Sequence, residues 1–322
     1  MPRNRRWTAA DMPAMDGRRV VVTGANSGLG YEATRAFARA GADVVMACRS
    51  VDRGEDAAAE IGREVAGADL AVRELDLAAL SSIRAFAAEF EGELHVLCNN
   101  AGVMALPRSK TEDGFETQFG VNHLGHFALT GLLFERLRET ATDEAVRVVT
   151  HSSGLHERGE IDFDDLHGER DYDPWEAYAQ SKLANVLFAY ELDRRCRNAE
   201  IDVTSVACHP GYAATNLQRR GPEAEGSRLK AAVMEVANAV FAQSASKGAL
   251  PLLYAATAPD VSGGDYVGPG GLLNMRGHPE KQRSSERSYD RDVAERLWRV
   301  SEDLTGVTYD FDAAEPTADE AA

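Results

Sequence analysis

Lysine and cysteine are both scarce in this chain of 322 residues. Five lysines occur, and 52 acidic residues against 35 basic ones leave a formal net charge of −17. Such an acidic surface repels nucleic acids and anionic membranes, so we expect no nucleic-acid partner. The balance would also suit a salt-rich cytoplasm, with ordinary solubility as the alternative explanation. Equal stability and activity with and without molar salt would contradict the salt hypothesis.

The few cysteines lie far apart, with no Cys-x-x-Cys pair and no conspicuous histidine partner. This arrangement argues against a zinc site or a disulfide framework, and a thiol in an apolar strand usually packs as a small hydrophobic group. His123 and His126 are three residues apart, but no carboxylate or third ligand accompanies them. We therefore expect no metal site. The cysteines are Cys48, Cys98, Cys196 and Cys208.

Long apolar runs are also missing. None approaches the roughly 20 residues that a membrane-spanning helix needs. The N-terminal segment is basic but lacks the apolar stretch of a secretory signal. The sequence therefore predicts a cytoplasmic protein without a membrane span, and 44% hydrophobic with 27% charged residues is typical of a soluble globular domain.

Short β-branched runs alternate with helical patterns along most of the chain. Near-continuous apolar runs of this length are typical of strands buried on both faces of a parallel sheet. Their repeated alternation with helices predicts a doubly wound parallel sheet, that is, a three-layer α/β/α Rossmann fold. The predicted strands are 19–23, 44–48, 70–75, 94–98, 146–151 and 203–208.

The chain is expected to form one domain. No linker rich in proline, glycine or serine divides it before residue 260. We predict an N-terminal extension at 1–16 and a single domain at 17–310. Glycines around Tyr266 and Val267 indicate a last edge strand followed by a turn. Residues 311–322 are mostly acidic or small, and we expect a disordered tail there.

A glycine-rich segment, TGANSGLG at 23–30, follows the first predicted strand and precedes a helix predicted at 31–40. Gly24 would allow the turn, Gly28 a close approach of the backbone to a pyrophosphate, and Gly30 the packing of helix on strand. The phosphate would then lie at the positive end of the helix. The spacing is G-x-x-x-G-x-G rather than G-x-G-x-x-G, so a purely structural turn is the alternative.

Arg49 follows the second predicted strand. An acidic residue at this place would bind the ribose 2′-hydroxyl of NAD, whereas a guanidinium would form charge-assisted hydrogen bonds with the 2′-phosphate of NADP. We therefore predict NADP(H) as the cofactor. The alternative is a solvated surface arginine that pairs with Asp52.

Tyr178 and Lys182 are four residues apart in a helical pattern and so share one helix face. A phenol has an unperturbed pKa of ~10, and a neighbouring ammonium would stabilise its anion. The pair alone is a weak motif, since a structural helix pair has the same spacing. Its weight comes from the glycine loop and from Ser152 and Ser153, which end a predicted strand where ligands of open α/β sheets bind.

Together these segments resemble the short-chain dehydrogenase/reductase family, in its NADP-linked, retinol-dehydrogenase-like branch. The resemblance spans residues 23–217, with weaker similarity to residue 310. It implies a hydride transfer between NADP(H) and a small-molecule alcohol, aldehyde or ketone, and pairing of chains into a homodimer or homotetramer. The matching segments, in family order, are TGANSGLG, ACRS, LDL, NNAG, VNHLGHF, SSG, YAQSK and HPGYAATNL.

The resemblance implies catalytic roles for four residues. Tyr178 would exchange a proton with the substrate oxygen. Lys182 would bind the nicotinamide ribose and lower the pKa of the tyrosine. Ser153 would orient the substrate oxygen, and the resemblance favours it over Ser152 because family members commonly use the second of two serines here. Only one of the two can serve, since neighbouring side chains of a strand point to opposite faces. Asn122 would hold a water that links Lys182 to solvent.

The resemblance also implies cofactor contacts along a crevice. Asp76 and Leu77 would contact the adenine, although Asp76 could equally cap a helix that begins near Leu80. Pro210, Gly211 and Thr215 would meet the nicotinamide carboxamide. The full predicted set is Gly24, Asn26, Ser27, Gly28, Leu29, Gly30, Arg49, Asp76, Leu77, Asn100, Ala101, Gly102, Tyr178, Lys182, Pro210, Gly211 and Thr215.

The substrate is not identified by these motifs. The connection between Ser153 and Tyr178 is longer than in compact family members, and we expect it to form one wall of the substrate pocket beside a substrate loop at about 211–228. Two other functions stay open. One is a catalytically silent NADP-binding regulator, and the other is an epimerase or dehydratase that shares the Tyr-x-x-x-Lys pair but usually carries a G-x-x-G-x-x-G loop.

Overall fold

The computed structural model describes residues 6–142, 144–211, 244–271 and 274–312. An eight-stranded sheet forms its centre, in the order β3-β2-β1-β4-β5-β6-β7-β8. Strands β1 to β7 are parallel, and β8 is antiparallel to β7. The strands are β1 (Arg19–Thr23), β2 (Asp43–Cys48), β3 (Asp69–Glu74), β4 (Val96–Asn99), β5 (Val146–His151), β6 (Val203–Cys208), β7 (Tyr266–Pro269) and β8 (Pro279–Gln282).

Helices cover both faces of this sheet. They are α1 (Gly28–Arg39), α2 (Val51–Glu64), α3 (Leu80–Ala88), α4 (Thr117–Phe119), α5 (Gly125–Leu132), α6 (Phe134–Thr140), α7 (Pro174–Asn198), α8 (Ala245–Gly248), α9 (Leu250–Thr257) and α10 (Arg291–Thr305). A π-helical turn, Gly120–Leu124, joins α4 to α5, and 3₁₀ turns span Ala9–Asp11, Gly154–Arg158 and Glu286–Tyr289.

Two apolar cores lie on opposite faces of the sheet, because successive strand residues point in opposite directions. Val20 and Val22 of β1 belong to the core that contains α1, α2 and α9. Val21 belongs to the other core, which α3, α5, α6, α7 and α10 cover. The predicted doubly wound α/β/α fold is therefore confirmed.

The predicted edge strand is placed differently by the structure. Residues around Tyr266 and Val267 do form a strand, β7, but β8 pairs with it and forms the edge. The sequence of β8, PEKQ, has no apolar alternation, since an edge strand can expose charged side chains on both sides. Sequence periodicity therefore could not identify it.

Residues near the first and last described positions pack more closely than predicted. In the N-terminal extension, Met15 is buried and the Trp7 ring lies edge-on to Tyr254, with 5.3 Å between ring centroids. At the other end, Phe311 stacks on Tyr309 at 5.8 Å. Phe311 thus belongs to the folded domain rather than to the predicted tail, and residues 313–322 lie outside the described residues.

Candidate active site

A crevice opens where the strand order of the sheet reverses, between the carboxyl ends of β1 and β4. It contains a cavity of about 560 Å³. The lining unites most of the residues predicted to bind the cofactor, namely Gly24, Asn26, Ser27, Gly28, Leu29, Gly30, Arg49, Asp76, Leu77, Asn100, Ala101 and Gly102.

The glycine loop fits a ligand that approaches the backbone closely. Gly24 and Gly28 have φ angles of +67° and +56°, in the left-handed region that favours glycine. A Cβ atom on Gly30 would lie 2.3 Å from the carbonyl oxygen of Gly24, so no side chain fits there. Ser27 precedes α1 without capping its first turn through the side chain, which leaves the first amides of α1 available to an anion.

Two arginines form a cationic wall of the cavity at the end of β2. Arg49 and Arg53 both line it and both are exposed. Within the described residues, neither guanidinium has an ion-pair or hydrogen-bond partner, so the alternative pairing of Arg49 with Asp52 is not observed. Sequence analysis did not identify Arg53. The sequence feature that could have identified it is its position four residues after Arg49, at the start of α2.

Asp76 lines the cavity and does not cap α3. Its Oδ1 atom accepts a hydrogen bond from the amide of Ala78 at 2.9 Å. The first amide of α3, from Leu80, instead donates to Asp113 Oδ2 at 2.8 Å. The helix-cap alternative for Asp76 is therefore wrong, because Asp113 fills that place from a distant loop.

Tyr178 and Ser153 are neighbours, and the Ser153 hydroxyl lowers the pKa of the Tyr178 phenol against the larger effect of burial. Tyr178 lies near the start of α7 and is 5% exposed. The Ser153 hydroxyl also accepts a hydrogen bond from the amide of Leu155 at 3.2 Å. The Ser152 hydroxyl is buried and donates to the carbonyl of Lys182 at 2.7 Å. The hydroxyl of Ser152 is thus bound to the backbone of α7, and the choice of Ser153 as the serine of the site stays a prediction.

Lys182 is buried, and its ammonium donates to the carbonyl of His151 at 3.1 Å. Its Nζ atom lies 5.8 Å from the centroid of the Tyr178 ring. Burial lowers the pKa of Lys182 to about 8 and raises that of Tyr178 to about 12, with the nearby Ser153 hydroxyl acting in the opposite direction on the tyrosine. The net effect on Tyr178 is thus opposite to the lowering that the resemblance implies, because desolvation of the phenolate is the larger cause.

Asn122 lies in the π-helical turn, which the helical periodicity did not predict. Turns of this kind are frequent at functional sites. The side-chain amide donates to the carbonyl of Val103 and to the hydroxyl of Ser181, both at 2.9 Å, and its oxygen accepts from the amide of Val103 at 2.8 Å. Its main-chain carbonyl accepts from His126 Nδ1 at 3.0 Å. The turn thereby fixes the backbone at Val103.

Gly102 brings Asn122 and Lys182 to a common point. A Cβ atom on this glycine would lie 3.0 Å from Asn122 Oδ1 and 3.5 Å from Lys182 Nζ. Both polar groups therefore face the backbone of a residue that lines the cavity. The predicted water beside Asn122 stays a prediction.

Of the remaining residues predicted to bind the cofactor, the structure describes Pro210 and Gly211 but not Thr215. Pro210 and Gly211 follow β6 at the same edge of the sheet, and the amide of Gly211 donates to His209 Nδ1 at 3.3 Å. Thr215 and positions 212–228 of the predicted substrate loop lie outside the described residues. The insertion before α7 lines a separate cavity of about 690 Å³, whose described lining includes neither Ser153 nor Tyr178.

Two structural tests concern metals and membranes. Among the described residues, no three His, Cys, Asp or Glu side chains come together in a way that could hold a metal ion. No helix in the same part of the chain is both long enough and apolar enough to cross a bilayer.

Comparison with known proteins shows the family to which the chain belongs. The profile of the short chain dehydrogenase family matches residues 18–226. Mouse retinol dehydrogenase 12 is 44% identical over 299 residues, which are 91% of this chain and 88% of that protein. Human retinol dehydrogenase 14 is 40% identical over 315 residues, covering 92% of this chain and 89% of that protein.

Solved structures show the same likeness. An uncharacterized protein from Mycobacterium paratuberculosis is 43% identical with a TM-score of 0.79, covering 95% of this chain and 100% of that one. A protein described as an NAD(P) dependent gluconate 5-dehydrogenase from Beutenbergia cavernae, with bound NADP, is 25% identical with a TM-score of 0.57, covering 76% and 91%. The chain therefore belongs to the short-chain dehydrogenase family of oxidoreductases that act on CH–OH groups.

Proposed function

We propose that this protein interconverts an alcohol and a carbonyl compound with NADP(H), and that Tyr178 is its acid and base. The observation that carries the proposal is that buried Tyr178 neighbours both the Ser153 hydroxyl and Lys182, whose Nζ atom lies 5.8 Å from the centroid of the Tyr178 ring. The nicotinamide, when bound, would supply or accept the hydride. The Tyr178 hydroxyl would give its proton to the carbonyl oxygen in reduction and take it back from the alcohol in oxidation.

The neighbouring residues would divide the remaining work. The Ser153 hydroxyl would donate a hydrogen bond to the substrate oxygen and so hold it near Tyr178. Lys182 would hold the nicotinamide ribose and keep a positive charge beside the phenol. Asn122 would keep the Val103 backbone in place at the edge of the cavity, and would hold the water that returns a proton from solvent. Acid–base help of this kind contributes about 100- to 10,000-fold in rate.

NADP(H) is favoured over NAD(H) by the cationic wall. Arg49 and Arg53 line the cavity, and neither has a carboxylate partner among the residues that the structure describes, so both would be available to a 2′-phosphate. The solved relative from Beutenbergia cavernae, whose complex contains NADP, supports a nicotinamide cofactor of this kind.

Replacement of either arginine should change cofactor preference. We expect Arg49→Ala and Arg53→Ala each to lower kcat/KM for NADPH by about 10- to 100-fold, since each removes a hydrogen bond to a charged group. The value for NADH should change little. Steady-state kinetics with both cofactors measures this, with exposed Arg299→Ala on α10 as the control. Equal efficiency with NADPH and NADH, unchanged in Arg49→Ala, would contradict the assignment.

The substrate is proposed to be a hydrophobic alcohol or carbonyl compound, on the strength of relatives named retinol dehydrogenases. NADPH oxidation by the purified protein should be followed against short and long aldehydes, ketones and all-trans-retinal. Turnover of at least one carbonyl class is the expected result. Tight NADPH binding without turnover across a broad panel would instead support the silent regulator, and redox-neutral conversion of a nucleotide sugar would support the epimerase.

A further inference from the structure

Three buried aromatic side chains lie side by side below the site, and the proposed chemistry uses none of them. They are His156, Tyr266 and His209, which are 1%, 2% and 4% exposed. The ring centroids of His156 and Tyr266 are 5.0 Å apart. Those of Tyr266 and His209 are 5.3 Å apart, with only 11° between the planes. We call this set the aromatic column.

One end of the aromatic column holds Ser153. The carbonyl of Ser153 accepts hydrogen bonds from the amide of His156 at 3.0 Å and from His156 Nδ1 at 2.7 Å. The other ring nitrogen, Nε2, lies 3.0 Å from the amide of Ser285. Because a backbone amide can only donate, Nε2 must accept and Nδ1 must carry the ring proton. His156 is therefore fixed in the tautomer that binds Ser153.

Tyr266 forms the middle of the aromatic column. Its hydroxyl lies 3.2 Å from His156 Nδ1. Since the single proton on Nδ1 is directed to the Ser153 carbonyl at 2.7 Å, the more distant Tyr266 oxygen can only share it as a second acceptor. Ser152, next to Ser153 in the chain, donates to the carbonyl of Lys182 at 2.7 Å. Tyr266 and Ser153 thus contact the same ring nitrogen of His156.

The other end of the aromatic column holds the segment after β6. The amide of Gly211 donates to His209 Nδ1 at 3.3 Å, and His209 Nε2 bonds with Gln282 Oε1 at 3.1 Å. The position of the ring depends on Gly268, because a Cβ atom there would lie 2.0 Å from His209 Nε2. His209 thereby ties the Pro210–Gly211 segment to the rings of the aromatic column.

We propose that the aromatic column sets the distance between Ser153 and the Pro210–Gly211 segment. It would then fix the hydroxyl that orients the substrate oxygen relative to the backbone beside the nicotinamide, an inference that rests on the proposed function. His156, Tyr266 and His209 are positioning residues, since they act through Ser153 and Gly211. A misplacement of about 1 Å in such a site can cost about 100-fold in rate.

Two substitutions of His156 separate positioning from simple stability. The amide nitrogen of His156→Asn can occupy the place of Nδ1 and still donate to the Ser153 carbonyl. The amide of His156→Gln instead reaches the place of Nε2, so that carbonyl loses the side-chain donor and keeps only the backbone amide of residue 156. We expect kcat of His156→Gln to fall about 10- to 100-fold, and kcat of His156→Asn to stay within about threefold of wild type. The KM and Kd for NADPH should be unchanged in both.

A second variant tests the same idea from the next ring. Tyr266→Phe removes one hydroxyl and keeps the ring that stacks on His209. We expect a smaller fall in kcat, and no additional fall when it is combined with His156→Gln, because both changes break one network. His95→Gln is the control, since buried His95 also accepts a backbone amide, that of Arg19, but lies just before β4, at the amino ends of the strands and away from the site. It should lower the melting temperature and leave kcat unchanged.

The outcomes separate this proposal from the proposed function. Equal losses of kcat in the two His156 variants, or no loss in His156→Gln, would overturn the positioning role. If a His156 variant does not fold, an unchanged kcat in Tyr266→Phe would overturn it as well. A Tyr178→Phe variant that retains turnover would instead overturn the proposed function, whatever the result at His156.

Discussion

Tyr178 is kept in its acid form by its surroundings. Burial raises the pKa of this phenol to about 12, and burial lowers the pKa of Lys182 to about 8. At neutral pH the tyrosine therefore carries its proton while the lysine carries its charge. This combination is ready to donate a proton to a carbonyl oxygen, which agrees with the reducing direction that NADPH favours.

The two reaction directions should respond differently to pH. Reduction uses the phenol and the charged Lys182, whose pKa is about 8, so its kcat/KM should be nearly constant from about pH 6 to about pH 7. Oxidation uses the phenolate, whose fraction rises about tenfold for each pH unit below the pKa of Tyr178, so its kcat/KM should rise over the same interval. Initial rates in both directions, at saturating cofactor, measure this. An oxidation rate that does not depend on pH would contradict the role of Tyr178.

Sequence motifs identified residues whose chemistry depends on their own type. The spacing of Tyr178 and Lys182, and the glycines of the cavity, could be predicted because each motif is local. His156 could not be predicted, because its role depends on Tyr266 and Ser285, which are more than a hundred positions away in the chain. Arg53 is an intermediate case. It lies only four residues after Arg49, so the information was local, but no known motif includes that position.

At the scale of elements, the first strand, the glycine loop and α1 form the unit that holds the cavity. The predicted helix began at Tyr31, whereas α1 begins at Gly28. The difference arises because glycines are poor helix formers in sequence, although a helix start on Gly28 leaves amides free for an anion. The sequence did not predict the π-helical turn at Asn122 either. One extra residue in a single turn changes too few positions to be visible in a short apolar pattern.

A methyl group at Gly30 should damage this unit. The Cβ atom of Gly30→Ala would meet the carbonyl of Gly24 and the Asn100 side chain, so the loop must move away from its ligand-binding geometry. We expect NADPH affinity to fall at least about tenfold, since the backbone must approach the pyrophosphate closely. Fluorescence titration with NADPH measures the affinity.

Gly62→Ala is the matched control for that change. Gly62 lies in α2, and a Cβ atom there would have open space within 4 Å. Alanine is the better helix former by about 0.5–1 kcal/mol, so the variant should be slightly more stable and bind NADPH normally. A similar loss of affinity in both variants would show that the Gly30 contact is not the cause.

Across the whole molecule, acidity outside contrasts with neutral histidines inside. The pKa values of buried His123 and His151 are lowered to about 3, and those of His126 and His209 to about 4, mainly by desolvation. A lowered folded-state value means that the unfolded chain binds more protons in acid. The stability from these histidines is thus complete above pH ~6.5 and is lost as pH falls toward ~4.

The protein should therefore unfold readily in mild acid. Each of these histidines should cost on the order of 2 kcal/mol between about pH 7.5 and about pH 5, which together is comparable to the whole stability of a typical domain. Urea unfolding at the two pH values measures the difference. His123→Gln removes one titrating group and should reduce the loss. An unfolding free energy that is the same at both pH values would contradict the buried, neutral state.

Assembly and location stay predictions. Within the described residues, α10 packs against both α7 and α5. The ring centroids of Trp298 in α10 and Phe188 in α7 are 5.8 Å apart. Part of the surface of these helices is therefore covered by the same chain. If chains pair into a homodimer or homotetramer through the helices that carry Asn122 and Tyr178, they must use the part of the helix surface that α10 does not cover. The cytoplasmic location rests on the sequence alone.

The central claim is that Tyr178 exchanges the proton during hydride transfer. The most direct test compares kcat of wild type and Tyr178→Phe for the best carbonyl substrate under saturating NADPH, with NADPH affinity measured on both proteins. We predict that kcat falls about 100- to 10,000-fold while NADPH still binds with unchanged affinity. A Tyr178→Phe protein that binds NADPH and reduces the substrate at the wild-type rate would contradict the account.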